Sequence, residues 1–242
     1  MINWSLLYNE IPNLAQGAGV TVFVTIISLC IGMVIGLSVA ILRLSRHFYL
    51  RTPATAYVEI FRCTPMLVQI LLLYFGIVPE LQRLVDKYAI VQETVTSLGF
   101  PRIDFVKLPA IYTGIVALGL NSGAYLGEIF RGGILSIDRG QREAALSLGM
   151  KESQAMAYVV LPQALTNSLP AMGNEFITLI KDSSLLSSIA VVELLYRAMQ
   201  SGSNNFEFFT MYIGAGISYF IMCFTLSRVL AYYEKKRRVG YH

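Results

Sequence analysis

Apolar runs long enough to cross a bilayer alternate with polar stretches along the chain. The clearest run, Val20–Leu42, holds no charged side chain and would be about 35 Å long as an α-helix. Four more follow: Ala54–Val78, Ala110–Phe130, Leu169–Ile189 and Phe208–Leu230. The pattern therefore predicts an all-α integral membrane protein, five transmembrane helices in a single domain spanning residues 1–242. Within the first run, Gly32 and Gly36 form a small-xxx-small pair that predicts a close-packing helix face. Asn13–Gly19 reads as a short interfacial stretch ahead of that span.

The polar stretches are unequal. Pro79–Pro109 is a hydrophilic connection in which Leu81–Ala89 fits a short amphipathic helix. Tyr196–Glu207 reads as a polar loop. Arg139–Leu165, inside the longer stretch 132–166, carries Arg139, Arg142, Glu143, Lys151 and Glu152 between two apolar runs. Gln141–Leu148 lacks helix breakers and Gly149 would end a helix there; Glu152–Leu161 suits a second helix before Pro162. Ala144, Ala145, Leu146 and Leu148 would face the water. A short helix of this kind fits a partner's groove, or lies against the lipid headgroups.

Composition supports the membrane reading. Hydrophobic residues make up 55% of the chain and charged residues 14%, against about 25% charged in soluble domains. With five spans the termini lie on opposite sides. Eleven Lys and Arg residues fall on the side of Arg139–Leu165, among them the tail Lys235, Lys236, Arg237 and Arg238; five fall on the other. The positive-inside rule then sets the N-terminus outside and the C-terminus in the cytoplasm. The basic tail reads as a cytoplasmic anchor, not a nucleic-acid site. Residues 1–17 lack the basic n-region of a signal peptide.

Chemistry is excluded more than suggested. The chain has no G-x-x-x-x-G-K-[ST] segment, so nucleotide-driven work would need another subunit. His47 and His242 are the only histidines, which leaves no catalytic set, no metal site and no cofactor expected. Cys30, Cys63 and Cys223 lie in or beside apolar runs and read as small buried hydrophobes.

Four blocks carry a resemblance. EAALSLG (Glu143–Gly149), followed by VVLPQAL, resembles the EAA loop of ABC importer permeases. YVEIFRCTPMLVQ (Tyr57–Gln69) is similar to the Y-x-E-x-F-R-G-T-P-x-x-x-Q motif of the polar amino acid permease family. NSGAYLGEIFRGGI (Asn121–Ile134) and NEFITLIKDSSL (Asn174–Leu185) resemble two further segments of that family. Cys63 stands where glycine is usual, and Ser183 where threonine is frequent. The resemblance implies a type I ABC importer permease (MetI-like) fold in a bacterial cytoplasmic membrane. It implies pairing with a second permease copy or a paralogue, docking onto two ATPase subunits, and an extracytoplasmic binding protein that delivers the amino acid. Carried over, Glu143, Ala144, Ala145 and Gly149 form the ATPase-coupling site.

The substrate path must use polar groups at membrane depth, which are costly there and functional by default. The candidates are Glu59, Arg62, Glu128, Glu175, Lys181 and Asp182. Interhelical ion pairing competes as the role of Glu59, Glu128 and Glu175. Asp182, beside Ser183 and Ser184, is expected to take the substrate's ammonium or a cationic side chain in a hydroxyl-lined site. Arg62 and Thr64, with carbonyls freed by Pro65, would take the α-carboxylate. Glu128 is placed in the same site. Competing readings are a permease for another small polar solute, a stand-alone secondary carrier, which would predict inverted repeats, and a membrane enzyme.

Overall fold

A computed structural model of the chain describes residues 2–87, 93, 96–97 and 109–239. All regular structure among them is helical. α1 is Trp4–Arg43 and α2 is Phe48–Cys63. α3 (Met66–Leu71) runs through a π-helical turn, Leu72–Ile77, into α4 (Val78–Lys87). α5 is Ala110–Leu135 and α6 is Arg139–Ser147. α7 (Glu152–Ala155) passes through a second π turn, Met156–Val160, into α8 (Leu161–Asp182), followed by a 3-10 segment, Ser183–Ile189. α9 (Leu194–Asn205) and α10 (Phe208–Val239) complete the chain.

The core includes a seam between the C-terminal half of α1 and α5. The seam is built from reciprocal notches. A Cβ on Gly36 would stand 2.7 Å from Leu126 Cβ, and one on Gly32 would stand 3.0 Å from Ser122 Oγ. From the other side, Cβ atoms on Gly119 and Gly123 would meet Ile31 and Ile35 at 2.9 and 2.7 Å. Each helix thus presents glycines where its neighbour presents bulk. In lipid this matters because dispersion contact between close backbones, rather than water exclusion, holds helices together.

Three helices among the described residues are long and apolar enough to cross a membrane: Trp4–Arg43, Met66–Lys87 and Phe208–Tyr233. α5 and α8 carry more polar side chains. Asn121 and Ser122 of α5 and Ser168 and Glu175 of α8 are buried against protein.

The structure changes several sequence expectations. α1 has 40 residues, so Asn13–Gly19 is helix interior. One face of that half of α1 packs on α9: Asn13 Nδ2 donates to Glu10 and Ser201, and Arg197 donates to Asn13 Oδ1 at 2.6 Å. The predicted loop Tyr196–Glu207 is mostly α9, whose buried Leu194, Ala198, Ser201 and Gly202 follow helical spacing. Pro162 does not end a helix. It sits just after the Met156–Val160 π turn, whose wider hydrogen-bond spacing carries the helix past the missing N–H. Cys30 and Cys63 are exposed and Cys223 is half-buried, because these positions fall on outward helix faces. α4 ends at Lys87; Ala89 and most of Pro79–Pro109, with Arg102 and Lys107, lie outside the described residues.

Candidate functional site

The chain breaks its helix between α2 and α3. Thr64 is extended (φ −116°, ψ 144°), as a residue before proline prefers. Pro65 has no N–H to give Phe61, so that carbonyl loses its helical donor. Two side-chain amides replace it. Gln69 Nε2 donates to Phe61 O at 2.8 Å, Thr64 O at 3.1 Å and Thr64 Oγ1 at 2.7 Å. Asn121 Nδ2, from α5, donates to Gln69 Oε1 at 2.8 Å and to Phe61 O at 3.3 Å. Tyr57 adds a second tie to α5, its hydroxyl donating to Leu120 O at 2.5 Å. Thr64 is at the break as expected, with its own hydroxyl spent on Ile60 O.

Arg62 ends α2 beside this break. Its guanidinium lies over the Tyr125 ring, 5.5 Å from the centroid, and Nη1 is 3.6 Å from Glu128 Oε1. Glu128 is already engaged: Arg43 bonds one oxygen, and Arg131 bonds the other through Nε and Nη2 at 3.0 and 2.9 Å. Three guanidiniums thus share one carboxylate. The Arg62 side chain is 43% exposed against 12% for Arg43, so Arg62 is the surplus cation, with donors left for another anion. Glu128, expected in the substrate site or as an interhelical ion pair, stands among arginines of α1, α2 and α5.

Asp182 closes α8. Both serines expected to line its site bond back to their own helix. Ser183 donates to Ile180 O at 2.8 Å and Ser184 to Lys181 O at 2.6 Å. Asp182 lies within electrostatic range of Lys181 and of Glu175, two turns back on α8. Among the described residues no hydrogen bond or ion pair joins Asp182 to Arg62 or Thr64.

The polar segment folds as α6 and α7. Asp138 caps α6, accepting from Gly140 N at 2.7 Å. At the other end Gly149 adopts φ +87°, and Gly149 and Met150 N–H groups return to Leu146 O and Ala145 O. Arg142 pairs with Glu152 and braces α6 against α7. Glu143 and Ala144 are exposed, and Leu148 is 83% exposed. Ala145 is 4% exposed. It therefore turns inward, contrary to the expectation that it faces water with Ala144: adjacent helical residues point about 100° apart.

Sequence reasoning passed over Glu193. It is fully buried, caps α9 by accepting from Leu195 and Tyr196 N–H groups at 3.0 and 2.7 Å, and accepts from Tyr219 OH at 2.6 Å and Thr21 Oγ1 at 3.3 Å. One carboxylate therefore ties α9 to α1 and α10. A lone glutamate after an apolar run gave no local signal of this. Gln69 and Asn121 did carry one, since each lies in a quoted block beside the proline break or the facing helix.

The chain matches the family model described as binding-protein-dependent transport system inner membrane component over residues 32–239. It is 32% identical over 235 residues to the arginine transport system permease protein ArtQ of Bacillus subtilis (strain 168), covering 97% of each chain. It superposes on the crystal structure of an amino acid ABC transporter with histidines at a TM-score of 0.80 and 35% identity, covering 98% of this chain and 99% of that one. An inward-facing MetNI methionine ABC transporter chain shares the fold at a TM-score of 0.66, with 21% identity and 92% and 97% coverage.

Proposed function

Since the chain belongs to the family of binding-protein-dependent transport system inner membrane components, we propose that it is the permease subunit of an ABC importer that moves polar amino acids into the cytoplasm. The observation that carries this is α6, a capped and braced helix that presents Glu143, Ala144 and Leu148 to water beside an otherwise apolar body. That surface docks a separate ATPase subunit. Gly149 ends the helix sharply, so load on α6 passes through α7 and the Met156–Val160 turn into α8. Five membrane crossings follow: α1, the broken α2–α4 unit, α5, α8 and α10. The N-terminus is outside and the C-terminus cytoplasmic, and a second copy or a paralogue completes the pathway. An extracytoplasmic binding protein delivers the solute. The permease itself catalyses nothing; alternation between open states is driven by the ATPases.

In this reading Arg62 receives the α-carboxylate, Thr64 joining it when its hydroxyl turns from Ile60 O, and Asp182 receives the ammonium or a cationic side chain. Arg62 is suited to it as the third guanidinium around a single acid. The related proteins differ in the amino acid they are named for, and a single acidic group reads any α-ammonium. The test is reconstitution of the permease with its ATPase and binding protein in liposomes, with uptake measured across the twenty amino acids. ATP-dependent uptake of polar amino acids is expected. Uptake without the ATPase would overturn the reading. Glu143→Ala should abolish co-purification of the ATPase; full retention would remove α6 from the docking role.

A further inference from the structure

The amide pair Gln69–Asn121 has no part in the roles assigned so far, yet it stands at the break between α2 and α3. A helix broken inside a membrane leaves main-chain groups that lipid cannot satisfy. Here the orphan is defined: Phe61 O would accept from residue 65, and residue 65 is proline. Gln69 Nε2 fills that vacancy at 2.8 Å, and Asn121 Nδ2 approaches the same oxygen at 3.3 Å while bonding Gln69 Oε1 at 2.8 Å. Asn121 is buried in α5, whose seam with α1 is fixed by glycine notches. The pair therefore does two things at once: it closes the break and pins it to the rigid part of the molecule. Arg62 and Thr64 sit inside the pinned turn, between Phe61 and Pro65. The five contacts of the clamp are all donated by side-chain amides, which can exchange partners without unwinding either helix.

We propose that Gln69 and Asn121 are positioning residues of the transport cycle: by clamping the α2–α3 break to α5 they hold Arg62 and Thr64 at the solute path. This rests on the reading of Arg62 as the carboxylate receiver. Without the clamp the break drifts relative to α5, and nucleotide hydrolysis no longer moves solute in step.

Cys63 is a native reporter of that drift. It is exposed, lies in the break, and its Sγ is 3.9 Å from Glu59 Oε2. The experiment uses the reconstituted permease–ATPase complex with binding protein, in a Cys30→Ser, Cys223→Ser background. Gln69→Leu and Asn121→Ala are compared with Gln69→Glu, which keeps the volume and the acceptor for Asn121 but removes the donors. Two quantities are read: amino acid moved per ATP hydrolysed, and the rate at which N-ethylmaleimide alkylates Cys63. Each variant should lose about tenfold in solute per ATP and gain about tenfold in alkylation rate, the scale of one desolvated hydrogen bond. A merely structural pair would lower the yield of complex and leave both quantities as in the parent. Unchanged values in assembled variants overturn the proposal. So does failure of all three to assemble with the ATPase, which would make the pair a folding element only. If the parent itself shows no ATP-driven uptake, the functional reading fails, while the Cys63 rate still reports on the clamp.

Discussion

The α1–α5 seam makes a quantitative claim at Gly36. In Gly36→Ala the new Cβ would stand 2.7 Å from Leu126 Cβ, 2.9 Å from Gly127 N and 3.0 Å from Leu126 C. Optimal carbon–carbon contact is about 3.5–4.0 Å, so the helices must part by about 1 Å. Two of the three atoms are backbone, so no side-chain rotation relieves the clash. Overpacking of this kind costs about 1–3 kcal/mol, and alanine's better helix propensity returns about 1 kcal/mol. The net expectation is destabilisation by about 0–2 kcal/mol. Gly19→Ala on the same helix is the matched control. Nothing lies within 4 Å of its Cβ, so only the propensity gain of about 1 kcal/mol remains and the sign reverses. Thermal unfolding of the purified permease in detergent, followed by tryptophan fluorescence or aggregation onset, reads the difference. Equal melting temperatures for the two variants would refute the interlocked seam, and the placement of Arg43 against Glu128 that depends on it.

Other outcomes follow from the charge and capping networks. Glu128→Gln leaves Arg43 and Arg131 without their shared carboxylate in a half-buried site, and is expected to destabilise the fold by about 3 kcal/mol, measured by the same unfolding assay. Arg62→Ala should leave stability within about 1 kcal/mol of the parent, because its exposed guanidinium is the third on one acid, yet it should abolish ATP-driven uptake; wild-type uptake would remove Arg62 from the pathway. Glu193→Ala removes the α9 cap and the acceptor for Tyr219, which should cost about 2–3 kcal/mol, while Tyr219→Phe, which deletes one of the four donors to that carboxylate, should cost less.

What was legible in the sequence was local or periodic. The lengths of apolar runs set the class of the protein, since a bilayer imposes a fixed length on a helix. The Gly32–Gly36 spacing marked a packing face because helical periodicity puts both on one side. Thr64–Pro65 announced a break, and Gly149 a helix end, because proline's missing donor and glycine's tolerance of positive φ are properties of single residues. The motif blocks carried Arg62, Asp182 and the α6 segment into view.

What the sequence left open depended on which surface meets which. Glu128 ties helices together because three arginines, from α1, α2 and α5, converge on it. Ala145 turns inward while Ala144 turns out, a choice set by the packing of α6 on the turn beneath it. Cys30 and Cys63 face outward, since apolar context marks a membrane segment but not its inner side. Asn13–Gly19 joins α1 because α9 supplies the polar partners it needs, and Glu193 can be buried because Thr21 and Tyr219 arrive from distant helices. Side-chain pairing across helices is a property of the assembled fold, and a local pattern of residues carries no record of its partners.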